Sequence, residues 1–352
     1  MAFIDFGGVT EEVVTREEVT LEKARAVLED EIIGIIGYGP QGYGQSLNLR
    51  DNGIKVLIGQ RKGGRGWEEA VRDGWVEGES LFDDIGEVVR RSTIVEYLLS
   101  DAGQRDQWPV IQKDLRTGQA LSFSHGFSVV FRDQTGVVPP ANVDVILVAP
   151  KGAGRTVRSN FLAGSGINSS FAVHQDATGR ARERVVALGI AIGSGYLFPT
   201  TFEKEVYSDL TGERGVLLGA IAGLMKAQYD TLRAMGHSPS EAFNETVEEA
   251  TQSLYPLMGA NGVDWMIASC STTAQRGALD WSKRFESAVK PLFELLYKDV
   301  KAGTETRRVL ETCSAPDYRN RLEGELDEWR NSEMWQAGRA VRALRPENWK
   351  ND

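Results

Sequence analysis

The chain of 352 residues has two cysteines, Cys270 and Cys313, and three histidines, His125, His174 and His237. So few thiols exclude a disulfide framework and a thiolate metal site, and they suit a reducing compartment: the cytosol, or an organelle matrix after processing. No apolar run approaches the roughly 20 residues that a membrane helix needs, so no membrane span is expected. A basic surface is missing too: the net charge is −10, which argues against a nucleic-acid partner. An anionic substrate stays possible, because a local metal or arginine charge reverses the field. Glu11, Glu12, Glu17 and Glu18 make the N-terminal region acidic. A transit peptide, which would be poor in acids, is therefore not expected. The 41% apolar and 26% charged content is that of an ordinary globular protein, long enough for two domains.

Glycine, by contrast, is abundant at 38 residues, and its placement is informative. The run Ile32-Ile33-Gly34-Ile35-Ile36 leads into Gly37-Tyr38-Gly39-Pro40-Gln41-Gly42, after which a helical pattern begins. This is a G-x-G-x-x-G turn between a strand and a helix. Gly37 permits the tight turn, Gly39 leaves room for a phosphate, and the helix offers free N–H groups and its positive dipole end.

The first half alternates strand-like segments (Ile32–Ile36, Ile54–Ile58, Ile94–Leu99, Ala120–Phe123, Val143–Ala149, Phe171–His174) with helical ones. That alternation predicts a doubly wound, mainly parallel α/β sheet. From Thr201 onward the pattern is helical, so the boundary is placed between residues 1–200 and 201–352. Helices are expected over Gly215–Met235, from Pro239 to about Tyr255 where Pro256 stops the helix, over Trp281–Ala302 and over Tyr318–Leu344. Ser238-Pro239-Ser240-Glu241 reads as a capping box.

The second strand ends in Gly59-Gln60-Arg61-Lys62-Gly63-Gly64-Arg65-Gly66, with no acid to accept from a ribose 2′-hydroxyl. Arg61, Lys62 and Arg65 suit a 2′-phosphate, which favours NADPH over NADH; the alternative is a solvated basic loop. In the helical half Asp209/Glu213 and Glu245/Glu249 are acids spaced i, i+4, each pair on one helix face. Such hard oxygen ligands suit Mg²⁺, although surface acids make the same pattern. Ser124-His125-Gly126-Phe127 and Pro150-Lys151-Gly152 follow strands, where parallel sheets open into a ligand crevice. His125 could equally be a core histidine, Lys151 a surface lysine, and Ser271 a helix cap.

Taken in order, the glycine turn, Ser124-His125-Gly126-Phe127, Val148-Ala149-Pro150-Lys151-Gly152, Ser208-Asp209-Leu210-Thr211-Gly212-Glu213-Arg214, Phe243-Asn244-Glu245-Thr246-Val247-Glu248-Glu249 and Cys270-Ser271-Thr272-Thr273-Ala274 resemble ketol-acid reductoisomerase over nearly the whole chain. The likeness is to the short form, with one copy of a knotted helical domain. The resemblance implies a Rossmann-type NADPH domain and a helical domain carrying metal site, substrate site and dimer interface, with active sites shared between two subunits and a larger assembly left open. It implies two Mg²⁺ per site, held by Asp209, Glu213, Glu245 and Glu249, the last two from the partner subunit. It places Gly37, Tyr38, Gly39, Gln41, Gly42, Arg61, Lys62, Arg65, Ser124 and His125 at the cofactor. It places Glu249, Cys270 and Ser271 at the substrate, and His125, Lys151, Glu213 and Glu249 in catalysis. Gly66 departs from relatives that often carry a serine there.

The substrate so implied is 2-acetolactate or 2-aceto-2-hydroxybutyrate. An alkyl group migrates between adjacent carbons while metal ions polarise the two oxygens, and NADPH then reduces the new ketone. Two other readings share the glycine turn. One is an NADPH-linked β-hydroxyacid dehydrogenase, which uses a lysine in place of metal-binding acids; the other is a nucleotide-sensing subunit without turnover. A requirement for Mg²⁺ separates the first from the reductoisomerase, and oxidation of NADPH with 2-acetolactate separates the second.

Overall fold

A computed structural model describes residues 2–348. The strands are β1 Ala2–Asp5, β2 Thr10–Thr15, β3 Ile32–Ile36, β4 Lys55–Gly59, β5 Leu81–Phe82, β6 Ile94–Tyr97, β7 Ala120–Phe123, β8 Asp144–Pro150, β9 Ser169–Gln175 and β10 Tyr196–Pro199. They form one sheet in the order β1-β2-β10-β9-β8-β7-β6-β3-β4-β5. β3, β4, β5, β6, β7 and β8 pair in parallel. The central strands are apolar throughout, as burial on both faces requires. Ile33, Ile35, Leu49, Val185 and Leu188 pack on one side of the sheet. Ile36, Val95, Tyr97, Trp108 and Phe123 pack on the other.

Chain order reverses beside β3, because β4 and β5 extend the sheet one way and β6 starts the other. That switch point is where open α/β sheets bind ligands. The glycine turn leaves β3 at this place. Gly37 has φ +104°, and a Cβ there would lie 3.0 Å from the carbonyl oxygen of Leu98, so neither backbone nor space admits a side chain. Gly39 caps helix Pro40–Asp51 with open space around it.

Six strands fall where the sequence pattern places them, to within a few residues. β9 departs from the parallel expectation: it runs antiparallel to β8, with Pro150 opposite Ser169. The intervening helix Gly154–Leu162 packs on Pro40–Asp51, so residues 151–168 leave and return at the same strand end instead of crossing the sheet. β1 and β2 carry no strong alternating pattern; β2 is held by its antiparallel pairing with β10.

The chain divides into two compact units, residues 1–208 with 306–310, and residues 209–305 with 311–352. The second is helical, as expected, with other boundaries. The helix expected over Gly215–Met235 spans Gly219–Ala234, and the one expected from Trp281 already starts at Thr272 and runs to Lys301. Ser238 does cap Pro239–Phe243, accepting from the Glu241 N–H. Pro256 does not end that stretch. Two π-helical segments, Asn244–Glu248 and Ala250–Leu254, carry it into Tyr255–Asn261, where Pro256 occupies the first turn and needs no N–H partner. Tyr318–Leu344 is two helices, Tyr318–Asn331 and Glu333–Ala343, because Ser332 turns extended and caps the second. Tyr229, Ala242, Phe243, Val247 and Met334 pack together in this unit. No helix among the described residues is long and apolar enough to cross a membrane.

Candidate active site

Thr201 starts helix Phe202–Arg214, its hydroxyl accepting from the Lys204 N–H at 3.2 Å as an N-cap does. This start is pressed against the loop after β7. A Cβ at Gly126 would sit 2.5 Å from the Phe202 carbonyl oxygen, so only glycine lets the two backbones meet. The contact carries Glu205 into the ends of the parallel strands. Its Oε2 accepts from the Gly126 N–H at 2.8 Å and lies 3.1 Å from His125 Nδ1. Its Oε1 accepts from Lys151 Nζ at 2.9 Å.

The Glu205 side chain is 1% exposed. Burial by itself raises the carboxyl, but the charge and hydrogen bond of His125, followed by those of Lys151, outweigh it and hold the group down to about 2. A buried carboxylate is tolerable on these terms, paired and hydrogen-bonded on both oxygens.

Asp209 follows Glu205 by one turn of the same continuous helix. A ring nitrogen of His125 and carboxylate oxygens of Glu205 and Asp209 lie within 4.8 Å of one another. One imidazole and two carboxylates converging at that range fit a divalent ion, and the two hard oxygens suit Mg²⁺. Glu213, a further turn along, is exposed and 3.5 Å from Arg214.

Glu205 is the residue that sequence reasoning missed. The signal was present: Glu205, Asp209 and Glu213 stand at i, i+4, i+8. The expectation stopped at the last two, since spacing within a helix does not reveal which turn meets the sheet.

The remaining expected residues are distributed as follows. Gln41 donates to the Gly152 carbonyl at 3.1 Å and accepts from Gln45, which also donates to Ser124 Oγ at 2.8 Å. The glycine-turn helix is thereby tied to the loops that carry His125 and Lys151. Gly37 and Gly42 bring that helix close to β3, with a Cβ at Gly42 only 2.0 Å from the Gly37 carbonyl oxygen. The Tyr38 ring points inward: its hydroxyl donates to Asp73 at 2.9 Å and accepts from Trp75 Nε1 at 3.0 Å. Arg61 and Lys62 are exposed on the loop after β4, and Arg65 is exposed at the first position of helix Arg65–Arg72.

In the helical unit Glu245 and Glu249 are exposed on the π-helical stretch. Glu248 between them turns the other way and pairs with Arg345 through both oxygens, at 2.7 and 2.8 Å. Ser271 caps Thr272–Lys301, accepting from the Ala274 N–H at 3.3 Å, and Cys270 beside it is half-buried.

Comparison with known proteins identifies the family. Residues 27–196 match the acetohydroxy acid isomeroreductase NADPH-binding domain and residues 202–347 match the ketol-acid reductoisomerase C-terminal domain. The chain is 66% identical to a ketol-acid reductoisomerase (NAD(+)) of Desulfosudis oleivorans, over 99% of both chains. It is 61% identical to the mitochondrial ketol-acid reductoisomerase of Neurospora crassa, over 99% of this chain and 86% of that one. A solved NADH-preferring ketol-acid reductoisomerase from an uncultured archaeon superposes with a TM-score of 0.85 at 30% identity, covering 95% of this chain and 99% of the other. With a sheet switch point, a glycine turn and a carboxylate–histidine cluster in place, and both family domains matched in order, the chain belongs to the ketol-acid reductoisomerase family.

Proposed function

We propose that this chain converts 2-acetolactate and 2-aceto-2-hydroxybutyrate to 2,3-dihydroxy-3-methyl acids of valine and isoleucine biosynthesis, using a reduced nicotinamide and Mg²⁺. The observation that carries the reading is the convergence of His125, Glu205 and Asp209 within 4.8 Å at the ends of the strands that follow the glycine turn.

His125, Glu205 and Asp209 would hold one divalent ion, with Glu213 one turn further on the same helix. A bound ion supplies Lewis-acid polarisation of the substrate's hydroxyl and carbonyl oxygens. The chain's own residues do the rest. The Glu205 carboxylate fixes the His125 ring through Nδ1 and keeps the Lys151 ammonium within 2.9 Å. Lys151 is then a donor placed to offset negative charge that develops on substrate oxygen. Glu213, exposed to the open side of the helix, is suited to carry a proton to or from the migrating centre.

Glu245, Glu249, Cys270 and Ser271 are assigned to a second metal ion and to the substrate, contributed across a dimer. The exposure of both glutamates supports this, as do the large apolar side chains exposed on the helical unit, among them Leu217 (66%), Leu292 (65%) and Trp281 (54%), a kind of side chain that interaction surfaces cover. Arg61, Lys62 and Arg65 are assigned to the adenosine end of the cofactor, with NADPH the expected donor. Relatives named as mitochondrial and chloroplastic make either a cytosolic or a processed organellar setting compatible with the reaction.

The test is direct. Protein, NADPH, Mg²⁺ and 2-acetolactate are mixed and the reduced-nicotinamide absorbance is followed. Mg²⁺-dependent loss of absorbance is expected, whereas full turnover of a 2-keto acid in EDTA would assign the chain to a metal-independent hydroxyacid dehydrogenase.

A further inference from the structure

β4 ends without an acid, yet an acid stands at its side. β5 pairs with β4 through Ile58–Leu81 and Gly59–Phe82, and the Gln60 N–H donates to the Phe82 carbonyl at 2.9 Å. This register brings the next residue, Asp83, against the basic loop, where its Oδ1 accepts from the Lys62 N–H at 2.6 Å. The Lys62 ammonium is itself ion-paired with Glu77. Two acids thus stand among the three cations of the loop.

The second position of the helix that follows the loop is tightly packed. A Cβ at Gly66 would lie 3.0 Å from the Tyr38 carbonyl oxygen and 3.1 Å from the Gln60 amide. Gln60 is held in that position because its Oε1 accepts from the Tyr38 N–H at 2.8 Å. A side chain at 66 would press on the residue that braces the glycine turn, which would have to shift by a few tenths of an ångström.

We propose that Asp83 is a cofactor-discriminating residue. From the neighbouring strand it supplies the carboxylate acceptor that β4 lacks, and so favours the ribose hydroxyls of NADH while opposing the 2′-phosphate of NADPH. A carboxylate accepts from a hydroxyl but offers a phosphate only repulsion. Arg61 and Arg65 attract the phosphate, so the two effects compete and the chain accepts both nucleotides. The proposal rests on the reading that residues 60–66 receive the adenosine ribose.

The experiment measures equilibrium dissociation constants of NADPH and NADH for the purified full-length chain, by nicotinamide fluorescence at fixed ionic strength and without substrate. Asp83→Asn keeps an oxygen to accept from the Lys62 N–H but removes the charge. It is expected to shift the NADH-to-NADPH affinity ratio toward NADPH by about tenfold, the scale of one charge-assisted contact. Glu77→Gln, which leaves Asp83 in place and releases the Lys62 ammonium, is expected to tighten NADPH by a few fold and leave NADH unchanged. A ratio that stays within about twofold of the wild-type value in Asp83→Asn, against one charge-assisted contact, overturns the proposal. Failure of the wild type to bind either nucleotide overturns the reading of the loop itself, and is distinct from an unchanged ratio.

Discussion

Lys151 Nζ and Glu205 Oε1 are 2.9 Å apart although 54 residues separate them in the chain. The pair joins the loop after β8 to the first turns of the helix that carries Asp209 and Glu213. It also leaves Glu205 Oε2 for His125 and the Gly126 N–H. One buried carboxylate therefore sets the positions of both the His125 ring and the Lys151 ammonium.

Glu205→Gln should separate this role from cofactor binding. The amide keeps the shape but turns one acceptor into a donor facing a donor. We expect kcat to fall by about two orders of magnitude or more, the usual effect of losing a preorganised charged group. We also expect the dissociation constant for NADPH to stay within a few fold. Stopped-flow turnover alongside fluorescence titration checks both; equal losses in both would make Glu205 a general fold determinant.

Asp209→Asn should abolish isomerisation while NADPH binding stays nearly intact, because the side chain lies with His125 and Glu205. Product analysis with 2-acetolactate and a separate NADPH titration measure the two. Lost cofactor binding would mean that Asp209 is structural.

Gly126→Ala should destabilise the fold. Its Cβ would stand 2.5 Å from the Phe202 carbonyl oxygen, and neither backbone can yield without moving His125 or Glu205. A cost of about 1–3 kcal/mol is expected from overpacking, together with loss of activity. Denaturant unfolding and turnover of the same preparation test this.

Glu96 predicts a pH dependence. It lies fully buried on β6, between Ile35 and Ser122 in register. Its Oε1 accepts from Ser122 Oγ at 3.2 Å, while Oε2 has no partner. Burial raises it from 4.5 to about 7, partly offset by the Ser122 hydrogen bond. Between those values the folded chain holds a proton that the unfolded chain has released. Stability contributed by this group is therefore complete below pH 4.5 and lost as pH rises toward 7, by ~3 kcal/mol at ~1.4 kcal/mol per pH unit. Glu96→Gln should remove this slope and be the more stable protein at pH 8. Equal slopes for the two chains across urea unfolding at several pH values would refute it.

Replacing Arg61, Lys62 and Arg65 together by glutamine should weaken NADPH more than NADH and flatten the salt dependence of NADPH binding. These are exposed cations, whose attraction is screened by salt. An unchanged NADPH-to-NADH ratio would mean that the loop does not face the 2′-phosphate.

Much of this protein was legible from residue order, because the relevant physics is local. The apolar run Ile32–Ile36, the glycine turn and the cap at Ser238 each depend on neighbours a few residues away, and all three stand where the sequence reading put them. Other features depend on what lies across space. β2 is a strand because β10 is beside it, β9 runs antiparallel because residues 151–168 return to the same strand end, and the stretch through Pro256 continues because its turns widen into π-helix.

The site divides along the same line. Chain order alone determined that a glycine turn and acid-bearing helices were present, since a turn or a helix face is specified by spacing within a few residues. Only the tertiary structure decided that Glu205 meets His125 and Lys151, and that Asp83 meets the Lys62 backbone. Those contacts exist because packing at Gly126 and the register of β5 bring distant segments within hydrogen-bond range, and no local propensity encodes either.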